Sequence, residues 1–310
     1  MASSVFIDGA VGTTGLEIRE RLEGRGEFSL LTLDDARRKD PAARREALNE
    51  ADFAILCLPD DAAREAVAMI DAGSGTRVID ASTAHRTAPG WTYGFPELVG
   101  RTAVAEAERV SNPGCYPTGF LALVAPLVRA GLLPADWPYS VHAVSGYSGG
   151  GKAMIERFEG DPDMAWRGYG LHGGHKHLAE MQAMAGLARP PVFCPAVVPA
   201  HRGMMVEVPL ALSALPEAPA PSVLLDALAE FYAGSPVVTV RATDAELGEL
   251  LLRRSDSGSD GLDLHVFGSA DGSQARLIAL LDNLGKGASG AAIQSLNLMA
   301  GLDESTGLRL

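Results

Sequence analysis

The sequence predicts an α/β chain of two domains, a parallel sheet covered by helices on both faces and then an α+β unit. Three observations predict it. Before Asn112, short apolar runs alternate with helically spaced segments, and a glycine turn directly follows the first run. After Asn112, prolines and glycines become frequent and the later apolar segments favour period-two alternation. The length, 310 residues, exceeds the usual single-domain size, so two domains sharing one active site in a cleft are expected.

In chain order, Val5 to Asp8 reads as a short buried strand, followed by Gly9, Gly12 and Gly15 and a helix through about Leu22. Further strands are expected at Phe28 to Leu33, Phe53 to Leu58 and Arg77 to Ile79, with helices at Ala42 to Ala51 and Asp61 to Ala72. Pro113 and Gly114 force a turn, and Pro117 suits the first turn of a helix whose apolar body runs from Phe120 to about Leu133. Longer strands follow at Val206 to Leu212, Val237 to Arg241, Leu262 to Gly268 and Arg276 to Asp282. The run Pro216-Glu-Ala-Pro-Ala-Pro221 excludes a helix interior or central strand and reads as a surface connection. A last helix, Ala291 to Leu302, has an apolar face suited to packing back on the first domain. That gives a dinucleotide-binding domain of 1–112 plus about 285–310, and a catalytic and oligomerisation domain of 113–284.

Composition narrows the function. A formal charge of −13 offers no clustered basic surface for nucleic acid or an anionic membrane, and no membrane span or signal peptide is evident. Cys57, Cys115 and Cys194 are too few and scattered for a disulfide framework or a four-ligand zinc site, which fits a reducing cytoplasm. Cys57 and Cys194 lie in apolar runs and read as buried strand thiols.

Cys115 differs. Its frame, Ser111-Asn-Pro-Gly-Cys-Tyr-Pro-Thr-Gly119, places it just ahead of a helix N-terminus, where the dipole favours a thiolate and an oxyanion beside it. A covalent cysteine needs a proton partner, and Gly174-His-Lys-His177 offers two; no third ligand stands at metal-binding spacing, so acid–base work is the better reading. His142, in an apolar run, reads as structural. The Gly9, Gly12, Gly15 spacing is a variant of the dinucleotide fingerprint, in which missing side chains let backbone amides approach a pyrophosphate. Beyond the second strand the charges are split: Asp34 and Asp35 suit a ribose hydroxyl and NAD, whereas Arg37, Arg38 and Lys39 suit the extra phosphate of NADP. Ser145-Gly-Tyr-Ser-Gly-Gly-Gly-Lys152 forms either a nest of amides facing an anion or a mobile loop, and its spacing is not that of a Walker loop.

Taken together these stretches resemble the N-acetyl-gamma-glutamyl-phosphate reductase family, its short form in particular. The resemblance spans nearly the whole chain: the glycine turn, Asp80-Ala-Ser-Thr-Ala-His-Arg86, Tyr93-Gly-Phe-Pro-Glu-Leu98, Asn112-Pro-Gly-Cys-Tyr-Pro-Thr118, Ser145 to Lys152, His175-Lys-His177, His201-Arg-Gly203 and Asp282-Asn-Leu-Gly-Lys-Gly-Ala-Ser-Gly290. It implies a Rossmann-like NADP domain joined to an α+β catalytic domain that builds a homo-oligomer, a dimer or tetramer, acting on a small acyl phosphate. By the same resemblance, Cys115 is the nucleophile and His177 the acid–base group, with His175 a second choice. Cofactor contacts are implied at Gly9, Val11, Gly12, Thr13, Thr14, Gly15, Arg37, Arg38, Ser82, Asn283, Lys286 and Gly287. Substrate contacts are implied at Arg86, Glu97, Asn112, Ser145, Ser148 and Arg202; no metal is implied. Aspartate semialdehyde dehydrogenase, which shares the chemistry on a related scaffold, is the nearest rival, and a non-catalytic NADP-binding regulator is a reading from another class.

Overall fold

A computed structural model describes residues 2–215, 217–242, 246–255 and 258–310. The chain divides into two compact units, residues 1–114 with 288–308, and residues 115–287 with 309–310.

The first unit opens with β1 (Ser3–Asp8), α1 (Thr13–Leu22), β2 (Phe28–Leu31), α2 (Pro41–Glu50), β3 (Phe53–Leu56), α3 (Asp60–Ala68) and β4 (Arg77–Asp80). It continues through β5 (Thr92–Tyr93), α4 (Pro96–Val99), α5 (Arg101–Glu106) and β6 (Arg109–Ser111). The strands form one parallel sheet in the order β2-β1-β3-β4-β6-β5. Local chemistry sets several boundaries. Asp40 accepts a hydrogen bond from the Ala42 amide at 3.1 Å with Pro41 at the first helical position, and Asp60 and Asp61 occupy the positive end of α3. The strands β5 and β6 and the helices α4 and α5 were absent from the sequence expectation, because segments of two to six residues are too short to show a periodicity.

The second unit begins with α6 (Cys115–Arg129), followed by β7 (Ser140–Gly146), a single 3₁₀ turn at Tyr147–Gly150, α7 (Lys152–Gly160), β8 (Arg167–Gly168) and α8 (Leu178–Ala185). Then come β9 (Val192–Val198), β10 (Met204–Leu210), α9 (Pro221–Phe231), β11 (Val238–Val240), β12 (Leu262–Gly268) and β13 (Ala275–Leu281). Its mixed sheet runs β11-β12-β13-β10-β7-β9-β8. The chain ends with α10 (Gly290–Met299), whose Ala292, Ile293, Leu296 and Met299 join Val5, Ile18, Ile55 and Val110 in the core of the first unit.

The helix α6 packs on this sheet at Gly119, where an added Cβ would lie 2.7 Å from Val206 Cγ2. Pro126 stands inside the helix and cannot donate to the Ala122 carbonyl; the Tyr232 hydroxyl donates to that oxygen instead, at 2.9 Å. The helix stops four residues short of the expected Leu133. Gly131, at φ 70°, donates to Val128 O at 3.0 Å while Leu132 donates to Leu127 O at 2.9 Å, which closes the last turn in the left-handed manner glycine permits.

Three expectations are corrected here. Cys194 lies on β9 but is exposed, since it alternates away from the covered side of the sheet with its register partner His142. Pro221 is the first residue of α9 rather than part of a connection, because a helix start has no use for the N–H that proline lacks. The predicted connection itself begins at Pro216, which lies outside the described residues. Cys115 is the first residue of its helix rather than the residue before it.

Candidate active site

In the first unit, β1 ends at Asp8 and the chain turns through Gly9 at φ 89° into α1. The three glycines are needed for different reasons. A Cβ at Gly9 would collide with the Cys57 carbonyl, and one at Gly15 would collide with the Gly9 carbonyl and lie 2.9 Å from Ala10 Cα, so both are demanded by the packing of the turn itself. At Gly12 the nearest atom to an added Cβ is Gly9 O at 3.5 Å, an ordinary contact, so the chain's own packing makes no such demand there. Gly12 instead lines a cavity of about 700 Å³ with Gly9, Ala10 and Val11. Thr13, Thr14 and Gly15 lie in the first turn of α1 and are not among the residues lining the cavity.

The far wall carries the charges. Asp34 Oδ1 accepts from the Ala36 and Arg37 amides at 3.1 and 2.8 Å, and Asp35 pairs with Arg38 at 2.8 Å. Both acids are thus engaged within their own turn. Arg38 and Lys39 line the cavity, whereas Arg37 turns away to Glu46 at 2.8 Å. Arg44 on α2, which the sequence reading passed over, also lines it and is held by buried Asp8 through Nε at 3.1 Å and Nη2 at 2.8 Å. Cys57, expected as a buried strand thiol, stands one residue past β3, is half-buried and lines the cavity; desolvation, with Asp80 and Asp8 adding to it, pushes its thiol up to about 12, so it stays protonated at neutral pH.

At the end of β4, buried Asp80 accepts from the Ser82 amide at 2.9 Å and the Ser82 hydroxyl at 2.7 Å, and meets His85 Nδ1 at 2.6 Å. His85 in turn stacks on Trp91 with centroids 4.2 Å apart. Arg86 is buried and donates to Asn112 O at 3.0 Å and Ala81 O at 3.3 Å, so Arg86 and Asn112 come together. Asn112 also donates from Nδ2 to Ala288 O at 3.0 Å, while its Oδ1 is buried without a partner among the described residues. Glu97 is drawn elsewhere: Gln294, fully buried on α10, donates to Glu97 at 2.9 Å and Glu304 at 2.8 Å.

In the second unit, Cys115 is half-buried at the positive end of the fifteen-residue α6. The backbone of Gly287 closes on it: a Cβ there would stand 2.9 Å from Cys115 Cβ. Gly287 and the fully buried Lys286 lie in the wide helical turn Gly285–Ser289. Asn283, just before that turn, donates to Ser148 Oγ at 2.9 Å, and its Oδ1 is buried without a partner among the described residues. Ser145 is buried at the end of β7 and donates to Gly146 O at 3.0 Å. Arg202 pairs with Asp282 at 3.2 Å.

Tyr116, next to the cysteine, is the hub of an aromatic cluster. Its ring lies 6.1 Å from His175, 6.0 Å from His177 and 5.1 Å from Phe193, and its hydroxyl donates to Ala196 O at 3.1 Å while accepting from Tyr169 at 3.3 Å. Burial above all, then Tyr169 and Cys115, pushes the Tyr116 phenol up, so it remains a donor. His175 and His177 have ring centroids 4.7 Å apart, and the His177 amide donates to His175 Nδ1 at 3.1 Å. Burial, then Lys176, pushes His175 down to about 4, which leaves it neutral with its proton on Nε2. His177 is buried at the start of α8. The sequence reading missed Tyr116, Tyr169 and Phe193; Tyr116 stood inside the most specific motif, but the other two carry no local signal.

A parallel nucleotide-type sheet with a glycine turn, in one chain with a mixed sheet packed by a helix that starts at a half-buried cysteine, defines the semialdehyde dehydrogenase class of oxidoreductases. Accordingly, the family model described as semialdehyde dehydrogenase, NAD binding domain, matches residues 31–107, and that described as semialdehyde dehydrogenase, dimerisation domain, matches residues 115–283. Among relatives, an N-acetyl-gamma-glutamyl-phosphate reductase 2 of Pseudomonas putida is 50% identical, and one of Nostoc sp. 47% identical, each over 98% of both chains. The chain belongs to the N-acetyl-gamma-glutamyl-phosphate reductase family. Among solved structures, aspartate semialdehyde dehydrogenase II of Vibrio cholerae, complexed with ASA, aligns at TM-score 0.72 over 97% of this chain and 99% of that one, with 17% identity. The enzyme of Candida albicans, solved with NADP, aligns at 0.65 over 96% and 98% with 14% identity. At those identities the likeness carries the fold alone.

Proposed function

We propose that this chain reduces N-acetyl-L-glutamyl 5-phosphate to N-acetyl-L-glutamate 5-semialdehyde with NADPH, releasing phosphate. The observation that carries the reading is Cys115 at the positive end of α6, backed by the Gly287 main chain, with Tyr116 beside it packed on both histidines. In this reading the Cys115 thiolate attacks the acyl carbon, a sulfur–carbon bond forms, and the carbon–oxygen bond to phosphate breaks to leave a thioester. The dipole of α6 favours the negative charge on sulfur and on the tetrahedral oxyanion. NADPH, when bound, supplies the hydride. His177 then gives a proton to the oxyanion to form a thiohemiacetal and takes that proton back as the carbon–sulfur bond breaks, which releases the semialdehyde and returns the thiolate. His175, neutral and with Nδ1 committed to the His177 amide, acts as a hydrogen-bond donor through Nε2 rather than as a base.

The cofactor wall fits a phosphate-bearing dinucleotide. Gly12 leaves room for an approaching pyrophosphate, and Arg38, Lys39 and Arg44 line the same cavity as Asp34 and Asp35, with Asp34 taken up by the amides of its own turn, Asp35 paired with Arg38 and Arg44 paired with Asp8. That supports NADP over NAD. A homo-oligomer, dimer or tetramer, is supported by the match of 115–283 to a dimerisation-domain model.

The test is phosphate-dependent reduction of NADP with N-acetyl-glutamate semialdehyde, set against the unacetylated and aspartate analogues. Cys115→Ser should keep NADPH binding within about twofold and lower kcat by at least about 1,000-fold. Turnover retained in that variant, or equal rates on the aspartate analogue, would refute the reading.

A further inference from the structure

We infer that Asp282 is a positioning residue for Arg202, fixing the guanidinium in the orientation from which it meets an anionic group of the substrate. The inference rests on the reductase reading above. The main chain at Arg202 is already set. Gly146 N donates to Gly203 O at 2.8 Å, Ser148 N donates to His201 O at 3.1 Å, and a Cβ at Gly146 would stand 2.8 Å from both Arg202 N and Cα. Gly203 takes φ 99°, which turns the chain into β10.

A fixed main chain still leaves a long side chain with many rotamers, and a buried carboxylate beside the guanidinium narrows that choice. Asp282 Oδ2 lies 3.2 Å from Arg202 Nε, an ion pair by distance in which the two atoms are not aligned as a hydrogen bond, with the two side chains only 5% and 18% exposed. Gly258 lies flat against the pair: a Cβ there would overlap Arg202 Nη1 and stand 2.8 Å from Cζ and 2.9 Å from Asp282 Oδ2. Asp282 is itself anchored. Its Oδ1 accepts from the Leu284 amide at 2.9 Å, and its main-chain oxygen accepts from Gly285 at 3.1 Å and Gly287 at 3.0 Å. One residue therefore holds both the guanidinium and the turn that backs Cys115.

The sign of the effect separates positioning from plain electrostatics. A carboxylate beside Arg202 repels an anionic ligand, so neutralising it without moving the arginine should tighten substrate binding. If Asp282 orients the arginine, neutralising it should weaken binding. Asp282→Asn keeps an oxygen for the Leu284 amide and presents an N–H₂ group toward Nε, two donors face to face. The expected result in the full-length enzyme is a KM for the semialdehyde raised on the order of tenfold, with kcat within about threefold and the KM for NADP unchanged. The rate of Cys115 alkylation, read in a Cys194→Ser background, should stay at its parent value because the turn is intact. In an Arg202→Gln background the Asp282→Asn effect should vanish, as a double-mutant cycle requires of a residue acting through its partner. Gly258→Ala presses on the pair with its charges kept and should raise the same KM, which keeps the test open should Asp282→Asn not fold. A KM that falls or does not move, or an undiminished effect in the Arg202→Gln background, overturns the proposal. If the wild type oxidises a different semialdehyde, the reductase reading fails and the same variants are read with that substrate.

Discussion

Gly287→Ala is the perturbation whose size follows most directly from the geometry. Its new methyl would stand 2.9 Å from Cys115 Cβ, 3.4 Å from Cys115 Cα and 3.0 Å from Asp282 O. Carbon atoms settle at about 3.5–4.0 Å, so something must yield by roughly 0.6–1 Å. The turn resists, because Gly287 N is bonded to Asp282 O at 3.0 Å and Gly285 is pressed against the Ser259 carbonyl. Cys115, at the first residue of its helix, is the freer partner and should be displaced. A misplacement of about 1 Å at a reacting group costs on the order of 100-fold in rate, and overpacking of this kind costs about 1–3 kcal/mol of stability. We therefore expect kcat/KM for the semialdehyde to fall by roughly two orders of magnitude and the melting temperature to drop by a few degrees. Steady-state assays and a thermal melt measure the two. Activity within threefold of wild type at an unchanged melting temperature would show that the main chain of Gly287 does not set the place of Cys115.

Two further outcomes follow from the site. Gly15→Ala puts a methyl into the Gly9 carbonyl and 2.9 Å from Ala10 Cα, so α1 must lift off the turn; the NADPH Kd should rise at least about tenfold while the alkylation rate of Cys115 is unchanged. His175 is pushed down to about 4, so between that value and the ordinary 6.5 the folded chain binds fewer protons than the unfolded one, and its contribution to stability is present above pH 6.5 and lost as pH falls toward 4. Denaturant midpoints at pH 7 and pH 5 should accordingly differ less in His175→Gln than in the wild type, and equal differences would contradict the assigned neutrality.

The sequence by itself determined what local chemistry controls. The alternation of strands and helices before Asn112, the strand at Leu262–Gly268 and the turn that sets Cys115 at a helix start all depend on residues within one or two turns of each other. Gly131 carried the signal for the early end of α6, though the apolar run beyond it masked it. Tertiary structure alone decided what lies across the sheets. It paired Arg202 with Asp282, set the Tyr232 hydroxyl on the carbonyl that Pro126 leaves vacant, and packed Tyr169 and Phe193 around Tyr116 and His175. It also turned Arg37 to Glu46, tied Glu97 to Gln294 and exposed Cys194. The physical reason is one of range: periodicity, capping and turn preferences act over a few residues, whereas the partner a side chain meets depends on strand order and on which face of a sheet a helix covers, and a single chain's local pattern carries neither.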